Sequence, residues 1–234
     1  MSKRSVQIHG QFFLSYLTPG LSVLDCGCGP GSITLSMAPL VAPGKIVGVD
    51  FASSQIKRAT SNAAGAGIHN AEFLIADCYS LPFDDCSFDR IFNHALMEHL
   101  SHPVQAMKEF HRVLKPGGIV GVCSPDWGGF ILAPPSEALS AAVKAYTDLQ
   151  TRNGGDVHVG RKLSLYLAEA GFSNCQMSAR YECYPSLEFI GEYLALQLER
   201  EGDTRSAKVF RDWSQSAGGM FAQCWVSCIA HRNP

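Results

Sequence analysis

A glycine-rich loop beside an aspartate is the part of this chain best suited to bind a ligand. Residues 23–31 join a short apolar β-type run, which contains Asp25, to glycines at positions 27, 29 and 31, and a helical pattern begins at Ser32. Glycine adopts backbone angles that are closed to other residues, so such a loop lets a ligand lie against bare main chain. Glycines also make ordinary turns, and the flanking residues must therefore decide whether this loop is a site.

Those flanking residues favour a nucleoside without phosphates. A dinucleotide site places a pyrophosphate over the helix N-terminus and needs its third glycine at the position that Ser32 occupies here. Asp25 would repel a pyrophosphate, and Pro30 has no N–H to donate to one. A ligand that carries an ammonium group and a ribose suits the loop better, and S-adenosylmethionine is such a ligand.

Two further aspartates end predicted strands. Asp50 follows an apolar run 25 residues after the first aspartate, close to the spacing at which α/β nucleotide folds place a carboxylate on the ribose hydroxyls. Asp77 ends the next strand, where it can accept a hydrogen bond from the adenine amino group with the Cys78 backbone nearby. Phe51 and Ile56 are candidates either to flank the adenine or to fill the core.

Length and composition exclude several classes of protein. The 234 residues suffice for one α/β domain with a sizeable core. A net charge of −2 argues against a protein that holds nucleic acid through its phosphates. Nine cysteines, an odd count with no signal peptide, favour a reducing cytoplasm, and no apolar run is long enough to span a membrane. Cys26 and Cys28 lack the spacing and the partners of a zinc site, so we expect no metal.

Strands alternate with helices along much of the chain, which predicts a doubly wound, mostly parallel sheet. After the glycine loop and a leading helix over 9–17, the predicted strands are 45–50, 71–78, 90–94, 119–123, 175–184 and 219–231. A tight hairpin would suffice to join the last two strands, yet about thirty residues with helical patterns, 185–216, separate them. The sequence therefore predicts a helical insertion before the last strand.

Six motifs occur in order along the chain: 23–31, Val49-Asp50-Phe51, Asp77 with Leu81-Pro82-Phe83, Ser87-Phe88-Asp89, Glu98-His99-Leu100 and 113–118. Together they resemble the class I S-adenosylmethionine-dependent methyltransferases, and most closely their ubiquinone- and menaquinone-type and small-molecule branch. The resemblance covers about residues 6–125. It implies an α/β fold with a doubly wound, mostly parallel, seven-stranded Rossmann-like sheet whose last strand is antiparallel, in a single methyltransferase domain over 1–234.

The resemblance also implies roles for individual residues. Asp25 and the glycine loop would hold the methionine moiety of S-adenosylmethionine, Asp50 the ribose and Asp77 the adenine, with S-adenosylhomocysteine as the product. Residues 93–95, with His99 nearby, would line the cofactor on the acceptor side. The predicted cofactor-binding set is Asp25, Cys26, Gly27, Cys28, Gly29, Gly31, Asp50, Phe51, Gln55, Ile56, Asp77, Cys78, Asn93, His94, Ala95 and His99.

Methyl transfer from a sulfonium is an in-line displacement, so positioning supplies much of the rate. A hydroxyl or carbon acceptor would still need a base, whereas an amine need only arrive deprotonated. His94, His99 and His158 are the candidate catalytic residues, and for each a structural role is the alternative. No Asn-Pro-Pro-aromatic or Asp-Pro-Pro-aromatic motif follows the fourth strand, which disfavours methylation of an adenine or glutamine amino group. Metal-dependent catechol methylation stays open.

The acceptor pocket is expected in the less readable last third of the chain, with lid elements over about 124–152 and 185–216. Aromatic residues there, together with one on the leading helix, are candidates to bind the acceptor or to fill the core: Tyr16, Trp127, Phe130, Tyr146, Tyr193 and Trp213. If two face the cleft, the acceptor is a flat or lipophilic small molecule. A methyltransferase acting on RNA or protein and a non-catalytic protein that retains the fold are the alternatives, and the sequence leaves the oligomeric state open.

Overall fold

A seven-stranded mixed sheet is the centre of the protein, and the computed structural model describes residues 4–184 and 186–234. The strands are β1 Val23–Cys26, β2 Ile46–Asp50, β3 Ala71–Ile75, β4 Phe88–His94, β5 Leu114–Ala133, β6 Ser173–Cys183 and β7 Met220–His231. Their order across the sheet is β3-β2-β1-β4-β5-β7-β6. The first five run parallel, and β7 lies antiparallel between β5 and β6. The predicted sheet, including its antiparallel last strand, is confirmed.

Helices cover both faces of this sheet. The α-helices are α1 Val6–His9, α2 Ser32–Val41, α3 Ser53–Ala66, α4 Pro103–Val113, α5 Glu137–Arg152, α6 Leu163–Glu169, α7 Leu187–Arg200 and α8 Thr204–Ser214, with short 3-10 helices at Gln11–Tyr16, Met97–His99 and Val159–Lys162. Two apolar clusters lie against the sheet, one around Phe13 and Phe92 and the other around Ile91 and Phe110. Parallel strands present their carboxyl ends at the same edge, so β1, β2 and β4 bring residues 25–31, 50 and 93–95 together there.

The predicted helical insertion forms α7 and α8. Both helices pack with α5 around a third apolar cluster that includes Leu194, Phe210 and Trp213. Ser186 caps α7 by accepting from Phe189 N, and Asp203 caps α8 by accepting from Ser206 N. Pro185, where the predicted insertion begins, lies outside the described residues, as do residues 1–3.

Three elements differ from their predicted form. β5 continues to Ala133 and pairs with β7 again after a register break that follows Asp126, so residues 124–133 extend the sheet instead of forming a loop over its edge. The leading helix divides at Gly10, where an added Cβ would lie 2.8 Å from a Val6 methyl carbon. β3 ends at Ile75, which leaves Asp77 in the turn beyond the strand.

Candidate active site

The glycine loop turns sharply between β1 and α2 because its three glycines are all left-handed. Gly27, Gly29 and Gly31 have φ angles of 77°, 53° and 76°, which side chains rarely adopt. At Gly27 an added Cβ would lie 3.1 Å from the Cβ of Leu96, so the loop passes close to the chain that follows β4. Gly31 occupies the N-cap position of α2. The backbone of the loop is therefore exposed to whatever lies over the carboxyl edge of the sheet.

Asp50 ties this loop to the next helix. One carboxylate oxygen accepts a hydrogen bond from Gly29 N and the other from Ala52 N, each at 2.9 Å. A carboxylate has about four lone-pair sites, so both oxygens retain the capacity to accept from ribose hydroxyls. The two backbone bonds hold the carboxylate in place at the end of β2, which is the geometry expected of a ribose-binding acid.

Asp25 is a buried carboxylate, only 3% exposed, below the glycine loop. The Thr34 hydroxyl donates to it at 2.5 Å. Burial raises the pKa of Asp25 from 3.8 to about 7, and the charge of Asp50 adds to the rise while the Thr34 hydrogen bond opposes it. Asp25 forms no ion pair with the described cationic side chains. An ammonium group at this position would stabilise the ionised carboxylate.

The predicted adenine end of the site presents an exposed apolar surface. Phe51 is 79% exposed directly after β2, and Ile75, the register partner of Asp50, is 58% exposed. Ile56 is buried, which favours the core alternative for that residue. Asp77 lies exposed in its turn and accepts a hydrogen bond from Tyr79 N. Ile75 was not predicted, because its exposure depends on β3 being the edge strand.

The other predicted cofactor-binding residues divide between ligand-facing and structural positions. The side-chain oxygen of Gln55, on the first turn of α3, is buried without a hydrogen-bond partner. Cys26 and Cys28 are buried, and burial raises the pKa of both thiols. Burial also raises the pKa of the half-buried Cys78, to about 11. The cysteines are therefore neutral packing residues of the loop and its surroundings.

The end of β4 makes a second sharp turn toward the glycine loop. Asn93 is fully buried and donates from Nδ2 to the Cys26 carbonyl at 2.7 Å, while its Oδ1 has no partner. Ala95 has a φ of 60°, a left-handed conformation that is uncommon for a residue with a Cβ, and donates to the Cys123 carbonyl. Such strain collects at functional turns. The structure therefore brings residues 93–95 beside the glycine loop, as the resemblance implied.

His94 is buried in an aromatic environment. Its ring centroid lies 4.6 Å from that of Trp225 and 5.9 Å from that of His9. Burial lowers the pKa of His94 well below its usual range, and the positive charge of Arg4 lowers it further. Neither ring nitrogen has a hydrogen-bond partner among the described residues. His94 is thus a neutral imidazole in which one ring nitrogen is free to donate a hydrogen bond and the other is free to accept one.

His99 lies on the open side of the cleft, with a side chain that is 61% exposed. It lines a groove of about 290 Å³ together with Tyr193 and polar residues of the α5 end. The neighbouring Glu98 was not predicted as a site residue. Its carboxylate accepts a hydrogen bond from Ser124 at 3.0 Å and lies 3.9 Å from His99 Nε2, and burial raises its pKa. Glu98 is therefore a second candidate proton acceptor at this edge.

His158, the third candidate catalytic histidine, lies apart from His94, which favours the structural alternative for it. Its Nδ1 lies 3.7 Å from the carboxylate of Asp126, and Arg161 already binds that carboxylate with two hydrogen bonds of 2.7 Å. Asp126 pairs with Cys224, the neighbour of Trp225, so its side chain points to the opposite face of the sheet from the Trp225 ring. His158 thus belongs to a structural charge cluster.

The predicted acceptor-binding aromatics also divide. The Trp127 ring packs against the tilted Tyr146 ring at a centroid distance of 4.7 Å near Phe130, and Tyr193 is 45% exposed at the groove. These four residues therefore border the cleft or the cluster beneath it. Trp213 is a core residue instead, because it is buried and its indole N–H donates to the Ala133 carbonyl.

Tyr16, a candidate to bind the acceptor or to fill the core, lies away from the cleft. Its carbonyl accepts from Arg90 Nε, and Arg90 lies near the amino end of β4, whereas the cleft is at the carboxyl end. The leading segment begins near the carboxyl ends of the strands, where His9 lies beside His94, and reaches Tyr16 near their amino ends. Apolar spacing predicts a helix but does not indicate which end of that helix lies at a site.

The comparisons with known proteins agree with this geometry. Residues 17–179 match the family described as methyltransferase domain. The chain is 33% identical over 157 residues to an uncharacterized 37.1 kDa protein in transposon TN4556 of Streptomyces fradiae, a match that covers 66% of this chain and 44% of that protein. It is 26% identical over 242 residues to an uncharacterized methyltransferase of Schizosaccharomyces pombe, covering 93% of this chain and 87% of that protein.

A demethylmenaquinone methyltransferase of Geobacillus stearothermophilus is 35% identical over 105 residues, or 44% of each chain. The match thus spans less than half the length of this relative and of the transposon protein. Among solved structures, the YcgJ protein from Bacillus subtilis superposes with a TM-score of 0.70 at 19% identity, over 96% of this chain and 97% of that one, which shows the same fold. In the part of the chain that the structure describes, no helix is long and apolar enough to cross a membrane.

Proposed function

Because the chain belongs to the methyltransferase domain family, we propose that it transfers a methyl group from S-adenosylmethionine to a small aromatic or lipophilic metabolite. The observation that carries this proposal is the pairing of two acids at adjacent strand ends. Asp25 is buried without a cation, and Asp50 is held by two backbone N–H groups with accepting capacity to spare. An ammonium group and a ribose complement these two acids, and a phosphate complements neither.

The described residues fit the remaining parts of the cofactor. The glycine loop offers bare backbone to the methionine moiety, and exposed Phe51 and Ile75 offer an apolar surface to the adenine. Two buried side-chain oxygens without hydrogen-bond partners lie near the carboxyl edge of the sheet, on Gln55 after β2 and on Asn93 in β4. When bound, S-adenosylmethionine supplies a methyl group on a sulfonium that is already a good leaving group. The chain's own part is to orient the acceptor, exclude water and accept a proton.

The character of the cleft supports a small, flat or lipophilic acceptor. Tyr193 of α7 lines the groove beside His99, and the rings of Trp127 on β5 and Tyr146 on α5 pack in the apolar cluster next to it. One relative is named demethylmenaquinone methyltransferase, a name that specifies a lipophilic acceptor. His94 or Glu98 would take the proton if the acceptor is a hydroxyl or an activated carbon.

Calorimetry with S-adenosylhomocysteine tests the proposal directly. We expect the intact protein to bind it and Asp50→Ala to weaken binding by about 1–3 kcal/mol, because the ribose hydroxyls lose their acceptor. Asp148→Ala is the matched control, since Asp148 pairs only with Lys144 on the surface of α5. Absence of binding to the intact protein would refute the proposal. Once binding is found, a metabolite screen with labelled methyl donor identifies the acceptor.

A further inference from the structure

Buried polar atoms without partners collect in one place on the acceptor side of the cleft. Among the described residues, seven buried side-chain nitrogen or oxygen atoms have no hydrogen-bond partner, and five of them belong to His94, Arg180, Glu182 and Trp225. These five are both ring nitrogens of His94, Arg180 Nη2, Glu182 Oε2 and Trp225 Nε1. Native proteins leave few such atoms unpaired, and a cluster of them calls for an explanation.

The sheet brings these four side chains to one face. Arg180 and Trp225 are register partners on β6 and β7, and Glu182 lies two residues further along the same strand, on the same face. The registers of β4 with β5 and of β5 with β7 carry His94 onto this face as well. The His94 and Trp225 rings lie 4.6 Å apart. Arg180 Nη2 and Glu182 Oε2 form an ion pair at 3.5 Å but no hydrogen bond, so each retains hydrogen-bonding capacity.

The start of the described chain covers this cluster. His9 is buried, and its Nε2 lies 3.5 Å from Glu182 Oε1, while the Arg4 guanidinium lies 5.7 Å from the Trp225 ring centroid. Arg4 itself is exposed. The cluster therefore begins with His94 at the carboxyl edge of the sheet, and residues 4–9 cover its outer side.

We propose that His94, Arg180, Glu182 and Trp225 form a subsite that binds a hydroxyl group on an aromatic ring of the acceptor. The subsite has hydrogen-bond donors, on Trp225 and Arg180, and acceptors, on Glu182 and one nitrogen of neutral His94. A hydroxyl both donates and accepts and therefore satisfies both kinds. A carboxylate cannot donate and would leave the acceptors of the subsite unsatisfied, and an ammonium cannot accept and would leave its donors unsatisfied.

The rings around the subsite favour a planar ligand. The Trp225 and His94 rings form an aromatic surface beside these polar atoms, with a centroid distance of 4.6 Å. Offset aromatic contacts add to the energy of burying a ring. A phenol or hydroquinone combines the ring and the hydroxyl that this surface and its polar atoms would bind. This inference rests on the proposed function, because it names the acceptor class of the proposed methyl transfer.

The experiment uses 4-methylphenol, toluene and 4-methylbenzoate as probes of equal ring size. Each is titrated into protein saturated with S-adenosylhomocysteine, and the ¹H–¹⁵N signals of the tryptophan indoles are recorded. The chain has three tryptophans, and Trp225→Phe assigns the Trp225 signal. Trp213, whose indole already donates to Ala133, is the internal control. We expect 4-methylphenol to shift the Trp225 signal and to bind about tenfold more tightly than the other two probes, as one or two net hydrogen bonds predict.

Two variants test the assignment to these residues. Glu182→Gln and Trp225→Phe should each reduce the preference for 4-methylphenol over toluene to about threefold or less, measured by calorimetry. Tyr181→Phe is the matched control, because Tyr181 lies between Arg180 and Glu182 on β6 but points to the exposed face. Equal affinity of the wild type for 4-methylphenol and toluene would overturn the subsite, as would a preference that survives both variants.

Failure of the subsite and failure of the proposed function give different results. Binding of S-adenosylhomocysteine is measured first and separately, and it depends on the glycine loop and Asp50, not on the β6 residues. A protein that binds S-adenosylhomocysteine but does not prefer the phenol refutes the subsite alone. A protein that binds no S-adenosylhomocysteine refutes the proposed methyl transfer.

Discussion

Asp25→Asn should make the ligand-free protein more stable at pH 8. The carboxylate of Asp25 is buried, and its pKa in the folded protein is about 7, above the 3.8 expected in the unfolded chain. Folding at pH 8 therefore forces an ionised group into a poorly solvated position. Asparagine keeps the size of the side chain and still accepts the hydrogen bond from Thr34, but it carries no charge.

The size of the effect follows from the two pKa values. A rise from 3.8 to about 7 corresponds to roughly 4 kcal/mol at about 1.4 kcal/mol per unit, which is an upper bound for the gain in the free energy of unfolding. Because the pKa of the folded state is the higher one, this gain is present above pH 7. It shrinks as the pH falls below 7 and disappears only below about pH 4, where Asp25 becomes protonated in the unfolded state as well.

Urea unfolding of both proteins at several values between pH 4 and pH 8 measures this gain. Asp89→Asn is the opposing control, because hydrogen bonds from Ser22 and Lys115 lower the pKa of Asp89. Its stabilising contribution is present at neutral pH and lost as the pH falls through that lowered value, so Asp89→Asn should destabilise the protein. Calorimetry should show that Asp25→Asn also weakens S-adenosylhomocysteine binding. A variant that is less stable than the wild type at pH 8, or a difference that does not change with pH, would refute the reasoning.

Four more results are expected. The affinity for S-adenosylhomocysteine should fall between pH 8 and pH 6, because Asp25 has a pKa of about 7 and must be ionised to face an ammonium group, and calorimetry of Asp25→Asn should show a flatter profile. His94→Phe should leave the free energy of unfolding within about 1 kcal/mol, since it removes two unpartnered nitrogens, yet lower transfer of labelled methyl by about 100-fold if His94 takes the proton. Gly31→Ala should destabilise more than Gly29→Ala in urea unfolding. At Gly31 the new Cβ would lie 2.9 Å from the Phe73 ring, whereas at Gly29 no described atom beyond the adjacent residues lies within 4 Å and the left-handed backbone alone costs about 1–2 kcal/mol. His158→Gln should retain methyl transfer within about twofold, whereas Arg161→Gln should destabilise by about 1–3 kcal/mol because it leaves buried Asp126 unpaired, and a large loss of activity in His158→Gln would contradict its structural assignment.

Local patterns were enough to predict the cofactor half of the site. The loop after β1 and the aspartates near the ends of β2 and β3 are each specified by a short stretch of chain, and a parallel sheet necessarily gathers such strand ends at one edge. The family resemblance implied residues 93–95 as well, and the structure has Asn93 donating to the Cys26 carbonyl beside the glycine loop. Spacing left open whether aromatic residues such as Tyr16 and Trp213 face the cleft or the core, because periodicity identifies an apolar face without saying what covers it.

The sequence by itself determined the family, the sheet and the acids at its carboxyl edge, because strand-loop-helix patterns and strand ends are local features. Only the tertiary structure decided which side chains share the acceptor side. β7 returns antiparallel between β5 and β6, and this pairing sets Trp225 beside Arg180 and within reach of His94, residues from three distant parts of the chain. A shift of one residue in register would turn each of these side chains to the other face. Register is a property of the assembled sheet, and that is why the acceptor side could not be read from spacing along the chain.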